Sequence, residues 1–276
     1  MSFLSAVAIA EKRRGSFGER FYAGRSRVVL QRSWITFRSS TYLVVLSGFV
    51  EPLLNLAVFG FGVGQFVGDI TLPDGRVIDY ASFIVPGLLA TSAMMGAVMD
   101  STWNVYFKMH ESRLYQAMLS TSLGPMDVAL GEIGWALMRG ALYSTSFMLV
   151  VSPLGLIHSW YGVLAIPAGV LIGFGFAALG MALTSYIKGF QQLNLINIVL
   201  MPLTLFSGSF FPLSSLPTWL ATFIRWTPLS QGIEMMRMCT LGTINSSIFI
   251  HIAYFMVFIA GGLYFTTRRL NALFMK

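Results

Sequence analysis

Phe206-Ser-Gly-Ser-Phe-Phe-Pro-Leu-Ser-Ser-Leu-Pro-Thr-Trp-Leu220, followed after six intervening residues by Thr227-Pro-Leu-Ser-Gln-Gly-Ile-Glu-Met-Met-Arg237, decides how this chain folds. Pro212, Pro217 and Pro228 fall in an apolar run together with Trp219, Trp226, Arg225 and Arg237. Each proline lacks a backbone N–H and crowds the preceding turn, so one regular membrane-crossing helix cannot cover the stretch. The sequence therefore predicts a spanning helix that ends near Phe211, then a re-entrant or surface-lying extracellular segment, then a last span.

The rest of the chain is of the same apolar kind. Of its 276 residues 55% are hydrophobic and 11% charged, too little polar surface to coat a soluble globule. Six stretches are long enough for a hydrocarbon core of roughly 30 Å: 42–63, 83–102, 128–151, 161–186, 193–211 and 248–267. No polar gap separates a second folded unit. The expected organisation is an all-α polytopic membrane protein, with a cytoplasmic amino-terminal segment over 1–40 and one six-span domain over 41–276.

A net charge of +7 would invite a nucleic-acid reading in a soluble protein. Here the basic residues gather at the amino terminus and in alternate loops, and no basic stripe is interleaved with aromatics. With the amino terminus inside, fourteen Lys and Arg fall on cytoplasmic segments and only Arg76, Arg225 and Arg237 fall outside. That asymmetry puts both termini in the cytoplasm. The first ten residues are apolar and precede Lys12-Arg13-Arg14, the reverse of a secretory signal, so the amino terminus is expected to be retained. Phe17, Phe21, Val28 and Ile35 share one helical face flanked by arginines, which predicts an amphipathic helix in the lipid interface. Tyr22, Val29, Leu30 and Phe37 make a second apolar face on the same helix.

No motif for catalysis is present. Gly60-Phe-Gly-Val-Gly64 ends a span instead of joining a strand to a helix, and reads as helix packing, as do Gly169 and Gly173. The sequence holds no GxxxxGK[ST] phosphate-binding loop, so energy for any transport has to come from another polypeptide or an ion gradient. His110, His158 and His251 are scattered and Cys239 stands alone, which leaves no metal set and no disulfide.

Ionisable residues inside spans carry more weight, because each costs about 2.5 to 3.5 kcal/mol or more at the bilayer centre unless it is paired or hydrated. Glu51 and Arg139, entered from the same side, reach similar depths of about 14 and 16 Å at 1.5 Å per residue, and are expected to share one polar network. Asp100 and Glu132 lie nearer the span ends and are expected to face water or headgroups. In the fifth span Asn194, Asn197, Met201 and Thr204 form a stripe that either lines a pathway or bonds a neighbouring helix. Met94, Met95 and Met99 suit a variable apolar solute, whereas Trp103, Trp135, Tyr143 and Phe147 suit an aromatic track for sugars. Between the second and third spans, a short helix over 111–120 is predicted to close on the turn Gly124-Pro125.

The 206–237 segment, the six spans and the 108–127 loop together resemble the permease subunit of type-2 ABC exporters, in particular the lipo-oligosaccharide, polysaccharide and drug export branch. The resemblance covers most of the chain. It implies a bacterial cytoplasmic membrane, a second permease as homodimer or related heterodimer, and two copies of a separate ATPase that binds ATP and Mg. It implies that Glu111, Arg113, Leu114, Met118 and Leu119 belong to the element on which the ATPase pushes. The second and fifth spans, with Met95, Met99 and the Asn194 stripe, would then face the substrate cavity. Two other readings stay open: a secondary transporter driven by protons through Glu51 and Arg139, and a membrane scaffold without transport. Dependence on ATP, on a pH gradient or on neither separates the three.

Overall fold

A computed structural model describes residues 24–39, 50, 52–72, 75–112, 114–187 and 189–274. Most of these residues are helical. The elements run α1 (Ser26–Ser39), α2 (Pro52–Val67), a ribbon of β1 (Ile70–Thr71) and β2 (Val77–Ile78), α3 (Tyr80–Glu111), α4 (Leu114–Leu119), α5 (Pro125–Val151), α6 (Trp160–Thr184), α7 (Phe190–Leu205), α8 (Thr218–Arg225), α9 (Pro228–Leu241) and α10 (Ile248–Phe274). Among the described residues, α3, α6 and α10 are long and apolar enough to cross a membrane, and α2 and α7 are shorter apolar helices. Helix α5 has 27 residues but carries Asp127, Glu132 and Arg139. Much of the predicted first span, Glu51 included, and Phe17, Phe21 and Tyr22 lie outside the described residues.

The ribbon amends the all-helical expectation. Ile70 pairs with Ile78 and Thr71 with Val77, antiparallel. Arg76 in its turn donates to the Leu241 carbonyl at 3.0 Å and ties the ribbon to the end of α9.

Helix α3 runs on to Glu111, past the predicted end at Thr102. The hydroxyls of Ser101 and Thr102 bond back to the Val98 carbonyl at 3.2 and 2.6 Å, so these polar residues are satisfied without ending the helix. The helix widens to π-helical turns at Asp100–Asn104 and Phe107–Glu111. Lys108 reaches across to Glu132 on α5 at 2.5 Å. Helix α7, by contrast, ends at Leu205 and not near Phe211. Ser207 donates its hydroxyl to the Thr204 carbonyl at 2.7 Å, and Gly208 turns the chain at φ +80°, a conformation that an L side chain resists. The stop is made by Ser207-Gly208-Ser209, past Pro202 inside the helix and ahead of Pro212.

Small residues let the helices close on α6. A Cβ on Gly262 of α10 would stand 2.7 Å from the Ala178 carbonyl carbon, and one on Gly169 would stand 2.8 Å from the Ser144 hydroxyl of α5. Gly173 was expected to pack in the same way, but its nearest neighbour would be 3.8 Å off, ordinary contact. Helix α9 lies against α3 and α6 and runs antiparallel to α6, with Met236 at Gly169 and Gly232 at Ile172.

Helix α1 lies on α5. Val29 is buried at Gly131, where a Cβ would collide with it, Leu30 covers Gly134, and Phe37 meets Trp135 edge-on at 5.2 Å. The described part of the second apolar face thus meets protein. Val28 and Ile35 of the first stripe stay exposed.

Candidate functional site

A cavity of about 260 Å³ opens between α2, α3 and α5. Helical spacing brings its wall together, since Leu88, Ser92, Met95 and Met99 recur every three or four residues on one face of α3. Asn55 enters from α2, and Arg139 and Tyr143, one turn apart, enter from α5. Arg139 Nη1 pairs with Asp100 Oδ1 at 2.5 Å, and its Nη2 donates to the Tyr143 hydroxyl at 2.6 Å. The Asn104 amide also donates to Asp100 Oδ1.

This arrangement corrects the expectation for two carboxylates. Asp100 and Glu132, expected at water or headgroups, are each only 5% exposed and are paired with Arg139 and Lys108. The apolar run of α3 stops at Asp100, which made the residue look like a span end, yet the helix continues and α5 covers it. The described partner of Arg139 is therefore Asp100, while Glu51 lies outside the described residues.

The predicted aromatic track does not form. Trp103 packs edge-on against Phe190 at 5.3 Å, Trp135 packs on Phe37, Phe147 is fully buried, and Tyr143 alone of the four lines the cavity. Met94 is buried, whereas Met95 and Met99 open onto the cavity. Asn194, Asn197 and Met201 stand exposed on α7, and Thr204 is half-buried; none of the four lines this cavity. On α7 only Leu193 and Leu200 are buried. Leu195, Val199 and Leu203 instead face Phe176 and Phe258 across a second, apolar cavity of about 500 Å³.

The turn after α7, Gly208 to Phe210, is clamped onto α3. Tyr80 donates its hydroxyl to the Phe210 carbonyl at 2.8 Å, and a Cβ on Gly87 would stand 2.7 Å from the Ser209 Cα. Arg237 of α9 donates to the Gly208 carbonyl at 3.1 Å, pairs with Glu234 at 2.9 Å, and stacks over Phe83 at 4.5 Å from the ring centre. One arginine thus gathers the turn, α9 and α3.

A profile of the ABC-2 type transporter family matches residues 25–241, which includes the cavity helices and the clamped segment. The chain belongs to the ABC-2 type transporter family. It is similar to nodulation protein J of Sinorhizobium fredii (strain NBRC 101917 / NGR234), with 32% identity over 83% of this chain and 86% of that protein. Nodulation protein J of Rhizobium leguminosarum bv. viciae is 29% identical over 84% of this chain and 88% of its own length. The inner membrane transport permease YadH of Escherichia coli (strain K12) is 26% identical over 70% of this chain and 75% of its own length.

In this ABC-2 family member the loop between α3 and α5 is a short helix held from inside. Tyr115 and Met118 are buried, so Met118 fills the chain's own core. Burial pushes the Tyr115 phenol well above its ordinary pKa, and the charge of Glu132 adds to the rise. Leu114 and Leu119 are half-buried against the core. Glu111, Gln116 and Ala117 are exposed, and Arg113 lies outside the described residues. At the base of the loop Asp127, which sequence reading did not single out, accepts from the backbone N–H of Gly124 at 2.9 Å and of Arg25 at 2.7 Å. It joins the start of α5 to the start of α1.

Proposed function

We propose that the chain is the transmembrane subunit of an ATP-driven exporter that moves a lipid-linked glycan, or another amphipathic substrate, outward across a bacterial cytoplasmic membrane. The observation that carries this reading is the family match over residues 25–241 in a sequence without a phosphate-binding loop. Two copies of a separate ATPase would supply the energy, with ATP and Mg bound there. A second permease would complete the pathway. The six spans would draw on α2, α3, α5, α6, α7 and α10, with both termini in the cytoplasm, as the distribution of Lys and Arg favours. Helices α8 and α9 would form the re-entrant element between the last two spans, since α9 runs alongside α6 and its last carbonyls bond Arg76 and the His158 N–H.

Coupling would pass through α4 and its flanks. Glu111 and Arg113 would meet the ATPase, while Met118, Leu114 and Leu119 hold the short helix against the bundle so that a push on it moves α3 and α5. Met95 and Met99 would line the substrate path within one subunit, and Asn194, Asn197, Met201 and Thr204 would line it, or bond the second permease, on α7. The glycan substrate is supported by the resemblance of the 206–237 segment to the lipo-oligosaccharide and polysaccharide branch.

The test is transport of a fluorescent glycolipid into inside-out vesicles that carry the chain with or without its ATPase. Uptake that requires both ATP and the ATPase is the expected result. Uptake driven by a pH gradient in vesicles with the chain alone, or ATP hydrolysis by the purified chain, would overturn the reading.

A further inference from the structure

We propose that the cavity between α2, α3 and α5 is a binding site for the uncharged sugar headgroup of a glycolipid. The inference rests on the exporter reading and names the chemistry of its substrate. Three buried polar atoms of cavity-lining residues have no hydrogen-bond partner among the described residues, Thr91 Oγ1, Ser92 Oγ and Arg139 Nε, and Asp100 Oδ2 behind them is unbonded too. Thr91, Ser92 and Arg139 line the cavity, and Asp100 holds Arg139 from behind. Ser92 is 7% exposed. A polar group in such a place is costly to leave unbonded, so the site favours an occupant that completes it.

The charges select the occupant. Arg139 is neutralised by Asp100, so an anionic headgroup gains no free cation and meets a carboxylate nearby. A sugar hydroxyl both donates and accepts, and it matches two hydroxyls and a guanidinium N–H together. Asn55 from α2 and Tyr143 from α5 also line the cavity. The volume of about 260 Å³ suits a single ring and not a long chain. Leu88, Met95 and Met99, on the α3 face that also carries Ser92, supply apolar surface for the less polar face of a sugar and the start of its lipid chain. The α3 wall ends in the π-helical turn at Asp100–Asn104, and the α2 wall passes into another over Leu56–Val63 just beyond Asn55. Such turns recur at functional sites.

The full-length chain in phosphatidylcholine nanodiscs is titrated with radiolabelled hexadecyl β-D-glucoside, with hexadecyl phosphate and methyl β-D-glucoside as competitors. Saturable binding of the glucoside is expected, with at least tenfold weaker competition by either compound. The Thr91→Val/Ser92→Ala protein, which keeps the ion pair and nearly the same side-chain volume, should bind the glucoside at least tenfold more weakly with an unfolding temperature that does not fall. The Asp100→Leu/Arg139→Met protein, in which no lone charge is left, should lose binding as well. Unsaturable partitioning would mean that the cavity holds solvent only, and would overturn the proposal. Stronger binding of hexadecyl phosphate, or unchanged affinity in the Thr91→Val/Ser92→Ala protein, would overturn it too. Equal displacement by methyl β-D-glucoside would assign the cavity to a free sugar and remove the glycolipid. Failure of ATP-dependent transport alongside saturable, hydroxyl-dependent binding would sink the exporter reading and leave this site standing, whereas ATP-dependent export without such binding would do the reverse.

Discussion

Arg139 and Asp100 answer each other at 2.5 Å between two helices, where the carboxylate is 5% exposed. Removing one partner strands the other. Arg139→Met or Asp100→Leu alone should cost about 3–5 kcal/mol of stability, while the double replacement should come out close to neutral. Denaturant unfolding of the three proteins in one detergent checks this, and additive losses would mean that the pair is not coupled. Two adjacent glycines of α10 make a second comparison. Gly262 faces the Ala178 backbone, so Gly262→Ala should overpack the α6–α10 contact and cost about 1–3 kcal/mol. Gly261 has nothing within 4 Å of a new Cβ, and Gly261→Ala should instead raise stability by about 0.5–1 kcal/mol through its gain in helix propensity. Melting temperatures that move in opposite directions are the expected outcome. Arg139 was legible in the sequence because a charge within an apolar run is conspicuous. Asp100 was not, because it stands where the apolar run stops.

Helix α4 is shorter than its sequence promised. The predicted 111–120 helix becomes Leu114–Leu119, with Tyr115 and Met118 turned into the core, so its outward face is Gln116 and Ala117. Single cysteines at these two positions should cross-link to the ATPase in an assembled complex, and one at Met118 should not. Equal cross-linking from all three would mean that the helix leaves the bundle. The same kind of local decision moved the ends of α3 and α7. Serine and threonine hydroxyls that bond back one turn let α3 run through polar residues, while a left-handed glycine stopped α7 short of Pro212. Prolines and apolar length are visible in a sequence. Whether a hydroxyl continues a helix or ends it depends on what lies beside it.

Helix α7 leaves most of its circumference uncovered: Leu195, Ile198, Val199 and Met201 are all exposed, Met201 at 73%. In a membrane, lipid or a second permease covers such a face. If the Asn194 stripe belongs to a pathway between two copies, a cysteine at Met201 should form an intersubunit disulfide in native membranes, and one at the buried Leu200 should not. Cys239 is buried and does not compete for the reagent. The membrane class, the run of apolar helices and the break over 206–237 follow from local chemistry, because transfer of side chains into hydrocarbon and the backbone limits of proline belong to a residue and its immediate neighbours. Periodicity likewise marks the faces of a helix, as it did for Val29, Leu30 and Phe37 on α1. It does not say which helix each face meets, or at what height. Those relations came from close packing at Gly169, Gly175 and Gly262, which sets how the helices stand against one another. Only then do Asp100 and Arg139, 39 positions apart, come within bonding distance, and only then do Met95 and Met99 share a wall with Ser92 while Asn194 faces away.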